Sequence, residues 1–117
     1  MITITIPGRA VPKGRPRHYK GKVYTPARTE AYERSVRQWG AVAMRGCAPY
    51  NARLRVTIEL RYANRQHIGD IDNAAKALLD GLNGIAWEDD RLIDELTIRR
   101  SFGHDEEMAV VEVDILS

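Results

Sequence analysis

Ile2, Ile4 and Ile6 alternate with Thr3 and Thr5, the period-two pattern of a strand with one face in a core. Pro7-Gly8 ends that strand. Residues 9–24 have no apolar period and carry Pro12, Gly14, Pro16 and Gly21, so a flexible loop is expected there. Thr25-Pro26 then reads as a helix start, with Thr25 as the cap and Pro26 in the first helical position. Tyr32, Val36, Trp39 and Ala43 would form its buried face, and Gly46 and Pro49 mark its exit. Leu54, Val56, Ile58 and Leu60 alternate with Arg53, Arg55, Thr57 and Glu59, the clearest strand in the chain. A second helix is expected from about Ile71 or Asp72 to Leu82, with Ala75, Leu78, Leu79 and Leu82 as its apolar stripe. After a turn around Trp87-Glu88-Asp89-Asp90, Ile93 to Arg100 and Met108 to Ile115 read as an antiparallel pair joined through residues 103–107. The expected fold is α/β: one small domain over residues 1–117, with a mixed β-sheet, two principal helices on one side of it and a C-terminal β-hairpin.

Composition sharpens this picture through the distribution of charge. The chain has 117 residues, 44% of them hydrophobic, enough for one core. Its net charge of +2 hides a split. Residues 1–65 hold 14 Lys and Arg against 3 Asp and Glu; residues 66–117 hold 4 against 13. One surface that attracts a polyanion and another that attracts cations follow from that asymmetry. Arg9, Lys13, Arg15, Arg17, Lys20 and Lys22, all within the loop of residues 9–24, are the candidates for phosphate contacts. Cys47 is the single cysteine, which excludes an intrachain disulfide and a thiolate metal cluster. The amino-terminal strand has no signal-peptide pattern, and no stretch approaches the roughly 20 apolar residues that span a bilayer, so a cytoplasmic protein without membrane attachment is expected. The glycine patterns of nucleotide-binding loops and the serine nucleophile elbow are also missing, and no nucleotide cofactor is expected.

The candidate chemistry lies in Gly69-Asp-Ile-Asp-Asn-Ala-Ala-Lys76 and in Glu88-Asp89-Asp90. Asp70 and Asp72 can converge at a strand-to-helix entry, and Lys76, four residues after Asp72, shares its helical face. With one later carboxylate they supply the hard oxygen ligands that suit Mg²⁺ or Mn²⁺. A metal held there against a phosphate can activate water and stabilise an anionic transition state, and Lys76 can neutralise charge, position the water or assist the leaving group. The plain alternative is that Asp70 or Asp72 caps the helix while Lys76 pairs with Asp72 or Asp80. His67, just before the acidic stretch, is a lesser candidate for phosphate contact or proton transfer.

Those two acidic stretches, the latter continuing as Trp87-Glu-Asp-Asp-Arg-Leu-Ile93, resemble the RusA family of crossover junction endodeoxyribonucleases, usually phage or prophage proteins. Val11-Pro-Lys-Gly-Arg-Pro-Arg17 and Tyr24-Thr-Pro26 extend the resemblance over most of the chain. It implies a small α/β homodimer that depends on magnesium, with manganese as a substitute, and incises four-way DNA junctions in recombination and repair. It further implies Asp70, Asp72 and Asp90 as the catalytic, metal-binding aspartates and Lys76 as the catalytic lysine. Paired symmetric nicks leaving 5′-phosphate and 3′-hydroxyl ends are the expected reaction. A fork or flap nuclease and a non-catalytic branched-DNA-binding dimer are the alternatives.

Overall fold

The computed structural model describes residues 1–15 and 17–117, with Arg17 described by its backbone alone. Its central sheet has four strands: β1 (Ile2–Pro7), β4 (Leu54–Arg61), β5 (Ile93–Ser101) and β6 (Met108–Ile115). Their order is β1-β6-β4-β5, with β6 antiparallel to both of its neighbours and β4 parallel to β5. Alternation decides which side chains face inward. Ile4 and Ile6 of β1, Leu54, Val56, Ile58 and Leu60 of β4, and Ala109, Val111 and Val113 of β6 are all fully buried. Thr3, Thr5, Thr57, Glu59 and Glu112 occupy the alternate positions and leave the other face polar.

Helices α1 (Ala27–Ala43) and α2 (Ile71–Leu82) pack on one another and against the sheet. The α2 stripe follows the expected period, with Ala75, Leu78 and Leu82 buried. The α1 face differs from expectation. Thr29, Tyr32, Val36 and Gly40 are buried, whereas Trp39 is 42% exposed. Close approach of the helices explains the shift: a Cβ at Gly40 would stand 2.6 Å from Leu82 Cδ2, and one at Gly81 would stand 2.7 Å from Val36 Cγ1. A tryptophan in that seam would force the helices apart, so the small residue takes the inward position. Thr25 does not cap α1 either. Pro26 occupies the N-cap without a side-chain bond, and the buried Thr29 hydroxyl accepts from Gly14 N at 3.0 Å.

One further expectation is corrected. The C-terminal hairpin does not form, because β4 lies between β5 and β6. The connection after β5 is pinned across the end of β4, where Gly103 N donates to Ala63 O and His104 N donates to Tyr62 O, both at 3.2 Å. That crossing delivers β6, with its three fully buried side chains, to the sheet interior and leaves the charge-rich β5 at the edge. The basic loop of residues 9–24 also has regular strand pairing among its described residues. It contains a second, two-stranded sheet of β2 (Arg17–Tyr19) and β3 (Lys22–Tyr24). Lys20 (φ 50°) and Gly21 (φ 75°) form its two-residue turn. No described helix is long and apolar enough to cross a membrane.

Candidate active site

Gly69 begins the corner at which the acidic stretch enters α2. Its φ of 67° and its contact with Pro12, whose Cγ would lie 2.8 Å from an added Cβ, require glycine at that position. Lys13 N donates to Asn73 O at 2.9 Å, and Arg100 Nη1 of β5 donates to Gly69 O at 3.0 Å. The corner is thus held between the amino-terminal segment and the edge strand. Asp70 is the N-cap residue of α2, with extended backbone, but its side chain makes no capping bond. Among the described residues, Asp72 accepts only from the adjacent Asn73 N, at 3.0 Å. Both carboxylates are exposed.

Lys76 lies one turn beyond Asp72 and is exposed. An ordinary helix surface would pair it with Asp80, one further turn along. Asp80 instead binds Lys13 Nζ at 2.7 Å, and Glu33 of α1 binds the same ammonium at 2.8 Å. Burial works to lower the Lys13 pKa, but the hydrogen bonds it donates to Asp80 and Glu33 outweigh it and hold the ammonium above its usual range. Among the described residues, Lys76 has no carboxylate within ion-pair distance.

Asp90 lies in the separate short segment after α2, close enough to Asp80 to feel its charge. It is half-buried, and Trp87 Nε1 donates to its Oδ1 at 2.7 Å. Burial pushes its carboxyl up; the Trp87 bond opposes that, and the charges of Asp80 and Asp89 reinforce it. Asp89 has a structural task, accepting from Arg91 N at 3.0 Å to cap the short helix Asp90–Leu92. Glu88 is exposed. Asp80 lies eight residues after Asp72, about 12 Å along the helix axis. Asp70, Asp72 and Asp90 are accordingly not drawn into one cluster: among the described residues, no three of His, Cys, Asp and Glu come together to hold a metal ion.

The basic candidates divide into two sets. Arg9 is engaged internally: its guanidinium pairs with Glu107 at 2.8 Å, donates to Gln66 O and to Asn64, and lies 5.4 Å from the Tyr62 ring centroid. Hydrogen bonding from Arg9 holds the Glu107 carboxyl below its usual range. Arg9 and Lys13 are therefore each held in ion pairs with carboxylates of other segments. Arg15, Lys20 and Lys22 are exposed, while the Arg17 side chain lies outside the described residues. An open cavity of about 500 Å³ runs past Pro12, Lys13, Arg15, Arg28, His67 and Gly69, bordering the acidic corner. Arg28, in the first turn of α1, escaped the sequence reading because its register gives no hint of this cleft. Tyr19 and Tyr24 were missed too; they are 62% and 45% exposed on the small hairpin and line an adjoining groove with Arg28. Aromatics interleaved with Lys20 and Lys22 were the available signal.

The family described as Endodeoxyribonuclease RusA matches residues 7–115. No curated protein matches the chain. The family match supports a nuclease-type enzyme at that coarse level.

Proposed function

Because the chain belongs to the RusA endodeoxyribonuclease family, we propose that it is a metal-dependent endonuclease that makes paired nicks in four-way DNA junctions as a homodimer. The observation that carries this reading is the corner itself. Asp70 and Asp72 are exposed carboxylates with no ion-pair partner among the described residues, and Lys76 stands one turn away beside a basic cleft. A residue that only capped the helix would spend its carboxylate on the helix, and Asp70 does not.

Asp70 and Asp72 suit a magnesium ion, which is commonly held by one or two carboxylates with water and substrate phosphate completing its shell. Bound there, the ion supplies charge that lowers the pKa of water and polarises the phosphodiester. Arg15, Arg28 and His67 hold the DNA backbone in the cleft and present one phosphate to the corner. Lys76 places an unshared positive charge where negative charge accumulates on the phosphoryl oxygens. The family resemblance implies Asp90 as the third aspartate, although among the described residues it does not cluster with Asp70 and Asp72. Tyr19 and Tyr24 offer faces on which bases unstacked at the branch can rest. Each copy carries one corner, so opposing nicks in a twofold junction need two copies.

The division between structural and free cations gives a direct expectation. Lys13→Met should lower unfolding stability by about 1 to 3 kcal/mol, since Glu33 and Asp80 lose their shared cation. Arg15→Ala should leave the denaturant midpoint in place, weaken junction binding, and flatten the plot of log affinity against log salt by up to about one unit. Loss of cooperative unfolding in Arg15→Ala would instead make that residue structural.

The function is tested with a strand-labelled panel of four-way junction, fork, flap, linear duplex and single strand at matched protein and salt. Symmetric nicks near the crossover, with little cutting of the duplex, are expected. Faster cutting of forks or flaps favours the alternative nuclease.

A further inference from the structure

Strand β5 is paired on one side by β4, and among the described residues no strand occupies its other side. An open edge nine residues long is a ready template for another strand. Along it run Asp94, Glu95, Leu96, Thr97, Ile98, Arg99 and Arg100: two acids, an apolar residue, threonine, an apolar residue, two bases. Reversal about Thr97 exchanges every acid for a base. We propose that β5 is the surface through which two copies of this chain join, antiparallel about a twofold axis at Thr97, to make one sheet of eight strands, four from each copy.

In that register Glu95 stands opposite Arg99 of the partner subunit, Leu96 opposite Ile98 of the partner subunit, and Asp94, at the bulge, level with Arg100 of the partner subunit. Each pairing occurs twice. The faces agree as well. Leu96 is level with the buried Val56 and so lies on the helix side, where 43% of it is exposed; the partner's Ile98 would cover it. Glu95 and Arg99 lie on the polar side, aligned by Arg55 at 2.6 Å and Glu59 at 3.5 Å, with half or more of each still open to solvent. Moving the axis by one residue destroys the match. About Leu96, Glu95 would face threonine and Asp94 isoleucine; about Ile98, Leu96 would face arginine and Glu95 serine. Charges that merely discouraged edge pairing would need no such sign order.

This inference deepens the dimer part of the proposed function without depending on its chemistry. Arg100 is tied to Gly69 O, so the axis sets the two acidic corners on opposite sides of the joined strands. Two Arg100 residues would be separated by six strand positions, about 20 Å along the strand direction.

Sedimentation of wild type, Glu95→Arg and Arg99→Glu provides the test, alone and in an equimolar mixture of the two variants. Either reversal should raise the dimer dissociation constant by about 10- to 100-fold, because two attractive pairs become repulsive. Mixing the variants should restore the dimer, since each reversed residue then meets an opposite charge; a folding defect would not be repaired this way. In a Cys47→Ser background, Thr97→Cys should oxidise to a covalent dimer, because antiparallel neighbours at the axis have Cα atoms about 4.5 to 5.5 Å apart. A dimer that is unaffected by either reversal, and that the Thr97→Cys variant fails to cross-link, would overturn this surface and leave the dimer itself standing. A wild type that is monomeric at every concentration, free and on junction DNA, would overturn the proposal and remove the homodimer from the proposed function.

Discussion

Asp70→Asn and Asp72→Asn should each slow single-turnover cleavage of a four-way junction by at least about 10² to 10³-fold, with junction affinity changed by no more than about threefold. The amide keeps the shape of the carboxylate and removes the charge that holds a divalent cation. Neither side chain supports the fold through a capping bond or an ion pair with another described residue, so both variants should unfold at the wild-type denaturant midpoint. Asp90→Asn should also cut poorly, and its amide oxygen can still accept from Trp87 Nε1, so its fold should be spared. Comparing rate from the bound complex with affinity separates catalysis from binding. Cleavage by Asp70→Asn or Asp72→Asn near the wild-type rate removes that residue from the catalytic set.

Lys76→Ala should lower the same single-turnover rate by about 10²-fold and affinity far less. The reason lies in what Lys76 lacks: its expected helical partner, Asp80, is held by Lys13, so among the described residues no carboxylate takes up the ammonium charge. Lys76→Arg should bind junctions well and cut slowly, because a planar guanidinium does not reproduce the compact ammonium. Should both variants lose affinity and keep the rate from the bound complex, Lys76 is a binding residue.

The legible parts of this fold are those set by local period. The strands bearing Leu54 to Leu60 and Ile2 to Ile6 and the α2 stripe follow the 2.0 and 3.6 repeats of their apolar residues. Partner choice is not local. Ile93–Ser101 and Met108–Ile115 are neighbours in sequence and both strands, yet their separation by β4 depends on how much apolar surface each can bury against the helices. The small hairpin escaped because three-residue strands with exposed side chains carry no readable period. Cations posed a similar difficulty. Lys13 and Arg9 look like Arg15 in sequence, but their carboxylates come from Glu33, Asp80 and Glu107, as far as 98 residues away. That Asp70, Asp72 and Lys76 share the start of one helix was legible, because their spacing lies within two turns; what they do there is the proposal.

The most direct test of the proposed activity follows binding and strand scission in one reaction, using a four-way junction with each strand labelled in turn. With Mg²⁺ present, wild type should nick two opposing strands at positions related by the junction's twofold axis and leave 5′-phosphate ends; with metal chelated, it should bind and leave all four strands intact. Tight junction binding without scission in either Mg²⁺ or Mn²⁺ would contradict the account and identify a branched-DNA-binding protein instead.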